Sequence, residues 1–182
     1  RSIPNLNVFR PADRIETIEC WENALKNSKT PSILSLTRQN LDPIRKKYSN
    51  TNKCSFGAYE VLRTNKKINL TILASGSEVN LAIEASHKLA KDKIYTKVIS
   101  MPCQDLFDQQ SESYKKKILN ETKFKISIEA ASTDSWKKYI GTDGLTFGID
   151  TFGKSAPYKD IYKHFGLTAL NIINKSKKLI RN

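Results

Sequence analysis

The sequence has little of what metal centres and disulfide frameworks are made from. Its 182 residues hold two histidines and three cysteines. Cys20, Cys54 and Cys103 are odd in number, far apart and without a Cys-x-x-Cys pair. That usage argues against a disulfide framework or a zinc site and for a reducing compartment, so a cytoplasmic location is expected. His87 and His164 fall in helical patterns with no neighbouring ligand, which favours structural roles over metal binding. Long apolar runs are missing too. None approaches the length of a membrane span, and no signal-peptide pattern opens the chain.

Acidic residues are also scarce. Eighteen stand against 31 lysines and arginines, a formal net charge of +13. A nucleic-acid-binding surface gathers such charge on one face and interleaves aromatics for stacking. Here the cations are scattered in short clusters: Arg45-Lys46-Lys47, Lys66-Lys67, Lys115-Lys116-Lys117, Lys137-Lys138 and Lys177-Lys178. The scatter argues against nucleic acid and leaves attraction of small phosphorylated molecules as the use of the field. In other respects, 38% hydrophobic and 27% charged residues describe an ordinary globular chain, long enough for one large domain or two small ones.

What is present is organised around residues 32–41. Ile33, Leu34 and Leu36 form an apolar run too short for a helix, bracketed by Pro31 and Pro43, and read as a short buried strand. In open α/β sheets ligands sit just beyond the carboxyl ends of strands, where Arg38 falls. Its guanidinium fork matches a phosphate, and an ordinary surface ion pair is the alternative. Upstream, Val8-Phe9 reads as a strand, Asp13 as a helix cap, and Ile15, Ile18, Trp21, Ala24 and Leu25 as the apolar stripe of an amphipathic helix over 14–27. Strand, helix and strand make a βαβ unit. Two strands and a helix cannot close a doubly wound sheet, so a larger part of this domain is expected upstream.

Residues 42–56 are polar and without periodicity, and read as a linker. From Phe56 a second unit begins. Residues 57–62 alternate as an edge strand, 69–74 form a stronger one, and Ser75-Gly76-Ser77-Glu78 turns into a helix carrying Val79, Ala82, Ile83, Ser86 and Leu89. That turn can hold an anion at a helix amino terminus, or Gly76 can serve the turn alone. Further strands are expected at 97–101, 124–129 and 145–149, with short helices at 104–110 and 113–119. Glu129 reads as an acid or base without a partner, or as a cap or ion-pair residue. Ser132-Thr133-Asp134 is expected to cap a helix with Trp136, Tyr139 and Ile140, stopped at Gly141. Ser155 is expected to cap another with Pro157 in its first turn, and a last helix from about Thr168 carries Leu170, Ile173, Ser176, Lys177 and Ile180. Such alternation predicts a three-layer αβα fold with a mostly parallel sheet.

The word Thr37-Arg38-Gln39-Asn40-Leu41 resembles the Ser-Arg-Gln-Asn-Leu signature of the transketolase family, on the last strand of the pyrimidine-binding domain. Deoxyxylulose-phosphate synthase and the pyruvate dehydrogenase beta chain share the architecture but have a different word here. The resemblance continues through Pro4-Asn5, Arg10-Pro11-Ala12-Asp13, the Ser75–Glu78 turn and His164-Phe165-Gly166-Leu167. It also takes in Thr151-Phe152-Gly153-Lys154-Ser155-Ala156-Pro157, where Lys154 replaces the usual acid.

It implies that residues 1–50 are the end of a pyrimidine-binding domain with its linker, and that 51–182 are the carboxyl-terminal domain. It further implies thiamine diphosphate with magnesium or calcium in a homodimeric full-length enzyme, moving a two-carbon ketol unit between phosphorylated sugars in the pentose phosphate pathway. The family's cofactor, metal and catalytic words precede Arg1. Arg38 alone inherits a role here, binding sugar phosphate; no catalytic, cofactor-binding or metal residue is expected, and the piece alone is expected to be inactive. A related thiamine enzyme such as dihydroxyacetone synthase, or a non-catalytic regulatory or interaction module of the same fold, stays open.

Overall fold

The computed structural model describes residues 1, 3–46 and 49–181; Lys47 of the first cationic cluster lies outside them. Five strands form the main sheet: β3 (Tyr59–Arg63), β4 (Leu70–Ala74), β5 (Thr96–Ser100), β6 (Phe124–Ile128) and β7 (Leu145–Phe147). Their order is β3-β5-β4-β6-β7, with β3 antiparallel at one edge and the others parallel. β4 and β5 are buried from end to end. Both their faces are covered; β4 reads as a near-continuous apolar run, whereas β5 buries Thr96, Lys97 and Ser100 beside Val98 and Ile99.

Successive side chains of β4 feed two cores. Leu70, Ile72 and Ala74 join Val79, Ala82, Ala85 and Leu89 of α2 (Glu78–Lys91) and Ile172 and Ile173 of α7 (Ala169–Arg181). Leu73, with Ile99 of β5, meets Phe107 of α3 (Gln104–Asp108), Ile118 of α4 (Glu112–Leu119) and Tyr139 and Ile140 of α5 (Lys137–Ile140). Each such large side chain taken from water contributes about 1.5–3 kcal/mol before chain entropy is counted. The three-layer expectation is met, with α6 (Tyr158–His164) lying beside α7 in sequence.

The amino-terminal unit is β1 (Asn7–Phe9), α1 (Arg14–Lys26) and β2 (Ser32–Leu34), the two strands pairing in parallel. Asp13 caps α1 by accepting from the amide of Glu16 at 2.8 Å. The expected sidedness of this unit is wrong. Ile18, Trp21 and Leu25 are 69%, 49% and 77% exposed, while Glu16, Glu19 and Cys20 on the opposite face are buried. β2 is only partly buried: Ile33 is about half exposed, as is Leu36 beyond the strand's end, while Leu34 packs against buried Phe9 and its neighbours. Periodicity finds the helix, but here the second unit packs against the polar stripe and leaves Ile18, Trp21 and Leu25 of the apolar one exposed, with Ile15 and Ala24 half-buried.

The presumed linker is tied down. Glu19 accepts from the amides of Lys53 and Cys54 at 3.0 and 3.1 Å and pairs with Arg45 at 2.8 Å. A short 3₁₀ turn, Lys53–Phe56, then ends at Gly57, whose φ of +74° suits a residue without Cβ. Phe9, Cys20, Cys54, Tyr59 and Cys103 form a third cluster that joins the two units. The cysteines are far apart in sequence and close here, and all three are free thiols.

Three smaller expectations also change. The turn before α5 is held by Asp150, which accepts from the amide and hydroxyl of Thr133, both at 2.8 Å, rather than by a cap from residues 132–134. Ser155 caps nothing; Pro157 occupies the cap position of α6. On α7, Leu170 points outward at 69% exposure, and Ile172 takes the inner place.

Candidate functional site

The helices that follow β4 and β6 leave on opposite faces of the sheet: α2 into the core of Val79 and Leu89, α5 into that of Phe107 and Tyr139. Adjacent parallel strands whose connections diverge in this way open a crevice at their carboxyl ends, the usual place for a ligand in such sheets. In this chain Arg1 and Arg10 of the amino-terminal unit enter it, beside a cavity of about 370 Å³ lined by Arg1, Arg10, Ser35 and Glu129.

Arg10 is the centre of that junction. Its amide donates to the carbonyl of Pro102 beyond β5 at 2.8 Å, and its carbonyl accepts from Gly76 beyond β4 at 2.9 Å. Its guanidinium reaches Glu129 beyond β6 at 2.9 Å and Glu78 at the start of α2 at 3.3 Å. Gly76 is explained by its backbone, which lies in the left-handed region that L side chains rarely adopt. Its φ is +63°, and a Cβ there would meet the guanidinium of Arg10 at 3.4 Å. The turn therefore carries an arginine paired with a buried carboxylate, an arrangement unlike an empty anion cradle.

Glu129 is buried and belongs to a network. Arg1 donates to it at 2.7 Å and also to Ser75 at 3.0 Å, and the indole nitrogen of Trp136 donates to its other oxygen at 2.7 Å. Burial alone would raise its pKa, but Arg1, Arg10 and the bond from Trp136 overcome this and hold it below the ordinary value. Burial likewise opposes the charge on Arg10, and Glu78 and Glu129 outweigh it, raising its pKa. Glu78 completes the set by accepting from the amide of Ala130 at 2.9 Å and from the hydroxyl of Tyr162. The ion-pair reading of Glu129 thus holds, although a second carboxylate does stand nearby, bridged through Arg10.

Arg38 stands apart from this network. It lies beyond the carboxyl end of β2, exposed, on a turn where the amide of Gln39 donates to Thr37 Oγ1 at 3.1 Å. Among the described residues the arginine ion pairs are those of Arg1, Arg10, Arg45 and Arg63; Arg38 is in none. The same turn continues into the wall of a cavity of about 510 Å³ between Gln39–Asp42 and the outer sides of α2 and α6. His87 and His164 are exposed, and no group of three His, Cys, Asp or Glu placed to hold a metal occurs among the described residues.

Sequence reasoning missed the two arginines that enter the crevice and the buried Glu16. Arg10 sat in plain view in the Arg-Pro-Ala-Asp turn, but nothing local signals that its partner is 119 positions away; only the apposition of Glu129 does. Glu16 was indistinguishable from a solvated helix acid.

The fold and junction define an α/β domain docked on a small parallel βαβ unit. Comparison with known families agrees. The model of the transketolase-like C-terminal domain matches residues 57–168, and that of the transketolase pyrimidine-binding domain matches residues 1–43. The chain belongs to the transketolase family. It is 44% identical over 182 residues to a transketolase of Sinorhizobium medicae, covering 100% of this chain and 26% of that one. To a transketolase of Buchnera aphidicola it is 39% identical over 183 residues, covering 100% and 28%. Among solved structures, transketolase from Leishmania mexicana superposes with a TM-score of 0.88 at 36% identity, covering 99% of this chain and 26% of that one. A Pichia stipitis transketolase in complex with sedoheptulose-7-phosphate gives 0.88 and 36%, covering 100% and 26%. This chain therefore spans about a quarter of the length of the curated relatives it matches. No helix among the described residues is long and apolar enough to cross a membrane.

Proposed function

We propose that this chain is the carboxyl-terminal part of a cytoplasmic, homodimeric transketolase of the pentose phosphate pathway. The whole enzyme transfers a two-carbon ketol unit between phosphorylated ketoses and aldoses. Residues 1–50 end its pyrimidine-binding domain and 51–182 form its carboxyl-terminal domain; the gap between the family matches, at 44–56, supports a boundary there. The ketol chemistry belongs to thiamine diphosphate with magnesium or calcium. The residues of this chain do not fit that group. The strand–Gly76–helix turn is taken by Arg10 and the buried carboxylate of Glu78, which would repel a diphosphate. The cofactor site belongs to the rest of the enzyme, and the chain alone is inactive.

Arg38 carries the reading. A guanidinium fork, exposed just past a strand end and free of any acidic partner among the described residues, is available to a dianionic phosphate. The absence of an ionic partner weakens the surface-pair alternative. A relative solved with sedoheptulose-7-phosphate supports a sugar phosphate as the ligand class.

A charge-assisted contact is worth about 1.5–3 kcal/mol, so Arg38→Ala in the complete enzyme is expected to raise KM for phosphorylated substrates roughly ten- to a hundredfold, with a smaller fall in kcat. Arg38→Lys recovers only part, since an ammonium keeps the charge without the fork. Hydroxypyruvate with an unphosphorylated acceptor is the control. Equal losses on both substrate pairs would make Arg38 structural and overturn the assignment.

A further inference from the structure

We infer that Arg10 is a positioning residue for the sugar-phosphate arginine, with Glu129 and Glu78 as the clamp that fixes it. The inference rests on the reading of Arg38 given above.

The path from the clamp to Arg38 is short and made of backbone. Arg10 directly follows β1. Its amide and carbonyl are bonded to Pro102 and Gly76, and its guanidinium is held by Glu129 and Glu78. One residue thereby ties the carboxyl end of β1 to the ends of β4, β5 and β6. The carbonyl of the preceding Phe9 accepts from the amide of Ser35 at 2.8 Å, so the exit of β2 is fixed to the same point. Arg38 is three residues further on. Residues 35–37 face Arg10, Gly76 and Tyr162 across a small cavity of about 170 Å³, so the link from the clamp to the turn bearing Arg38 runs through the Phe9–Ser35 bond.

The chemistry suits a rigid support. A planar guanidinium can bridge two carboxylates in fixed directions, whereas an ammonium is a point charge. Both carboxylates are themselves held, Glu129 by Arg1 and Trp136, and Glu78 by the Ala130 amide and Tyr162. A pair buried on both sides is a weak source of net stability, and its better-attested use is to select one geometry. A displacement of about 1 Å at a binding group costs a large factor in productive binding.

The crevice that commonly holds a ligand in this fold has thus become the seat of an internal cation. It makes the carboxyl-terminal domain a gauge for the substrate site on its neighbour.

The test uses the complete enzyme. Arg10→Lys keeps a cation between the two carboxylates but loses the bridge; Glu129→Gln loosens the clamp from the other side and serves as the second variant, each confirmed folded by thermal unfolding. Either is expected to raise KM for the phosphorylated pair about tenfold more than for hydroxypyruvate with an unphosphorylated acceptor. In an Arg38→Ala background the same change is expected to add nothing to that difference. Equal effects on both substrate pairs, or an undiminished effect without Arg38, would show a merely structural salt bridge and overturn the inference. The two readings fail separately. If Arg38→Ala discriminates phosphorylated from unphosphorylated substrates and the Arg10 and Glu129 variants do not, only the positioning role falls. If Arg38→Ala does not discriminate, the phosphate assignment falls and this inference with it.

Discussion

Replacing Glu16 by glutamine should change how the stability of this protein depends on pH, in a direction the structure dictates. Glu16 is fully buried between the two units. Its carboxyl accepts from the amide of Ala12 at 2.7 Å, from the hydroxyl of Tyr59 on β3 at 2.7 Å and from that of Ser100 on β5 at 2.6 Å. Burial raises its pKa from 4.5 to about 7; the three donors pull it back, and Asp13 adds a smaller push upward. The folded protein therefore keeps a proton that the unfolded chain has released. Below about pH 4.5 both states are protonated and there is no penalty. Above it stability falls with rising pH, and the loss levels off near pH 7.

A shift of that size corresponds to about 3 kcal/mol, since one unit is about 1.4 kcal/mol. Glutamine does not titrate. The difference in unfolding free energy between variant and parent should move by about 2.5 kcal/mol in favour of glutamine from pH 5 to pH 8. Urea unfolding followed by tryptophan fluorescence across that range at constant ionic strength measures it. Groups other than residue 16 contribute alike to both proteins and cancel in the difference. Two curves that run parallel from pH 5 to pH 8 would refute the reasoning and show that the carboxylate is ionised throughout.

Gly57→Ala should be severely destabilising, by about 3 kcal/mol or more, because a Cβ would lie 2.1 Å from the backbone nitrogen of Phe107 at a φ of +74°; a melting temperature within a few degrees of the parent would contradict that. Trp136→Phe removes a donor from the buried carboxylate of Glu129 and is expected to cost about 2–3 kcal/mol in urea unfolding. A much smaller loss would mean that Arg1 and Arg10 satisfy Glu129 without it. Isothermal titration of this chain with thiamine diphosphate and magnesium should give no saturable heat, and a micromolar isotherm would place a cofactor site where none is expected.

The elements were legible because their signals are local. The apolar run Leu70–Ala74, the Asp13 cap before a 3.6-residue repeat and the glycine after β4 each act within a few residues, and each appears where the pattern puts it. Arg38 was legible as a word rather than as a contact, and its exposed place beyond β2 is what that position predicts. The cap assigned to Ser155 was a local signal that lost, because Pro157 begins α6 without it.

What the sequence by itself determined is therefore the kind and order of the elements, the parallel three-layer class and the family word at residues 37–41. Only the tertiary structure decided which side of each amino-terminal element faces inward and which charges meet. Helical periodicity marks two stripes on α1 but assigns neither to the interior, and the stripe of Glu16 and Glu19 went inward because Tyr59, Ser100, Arg45 and the amides of residues 53 and 54 satisfy it there. Arg10 and Glu129 are likewise ordinary surface types in sequence. Their pairing depends on four strand ends converging at one point, and a charge can remain buried only where such convergence supplies its counter-ion and hydrogen bonds.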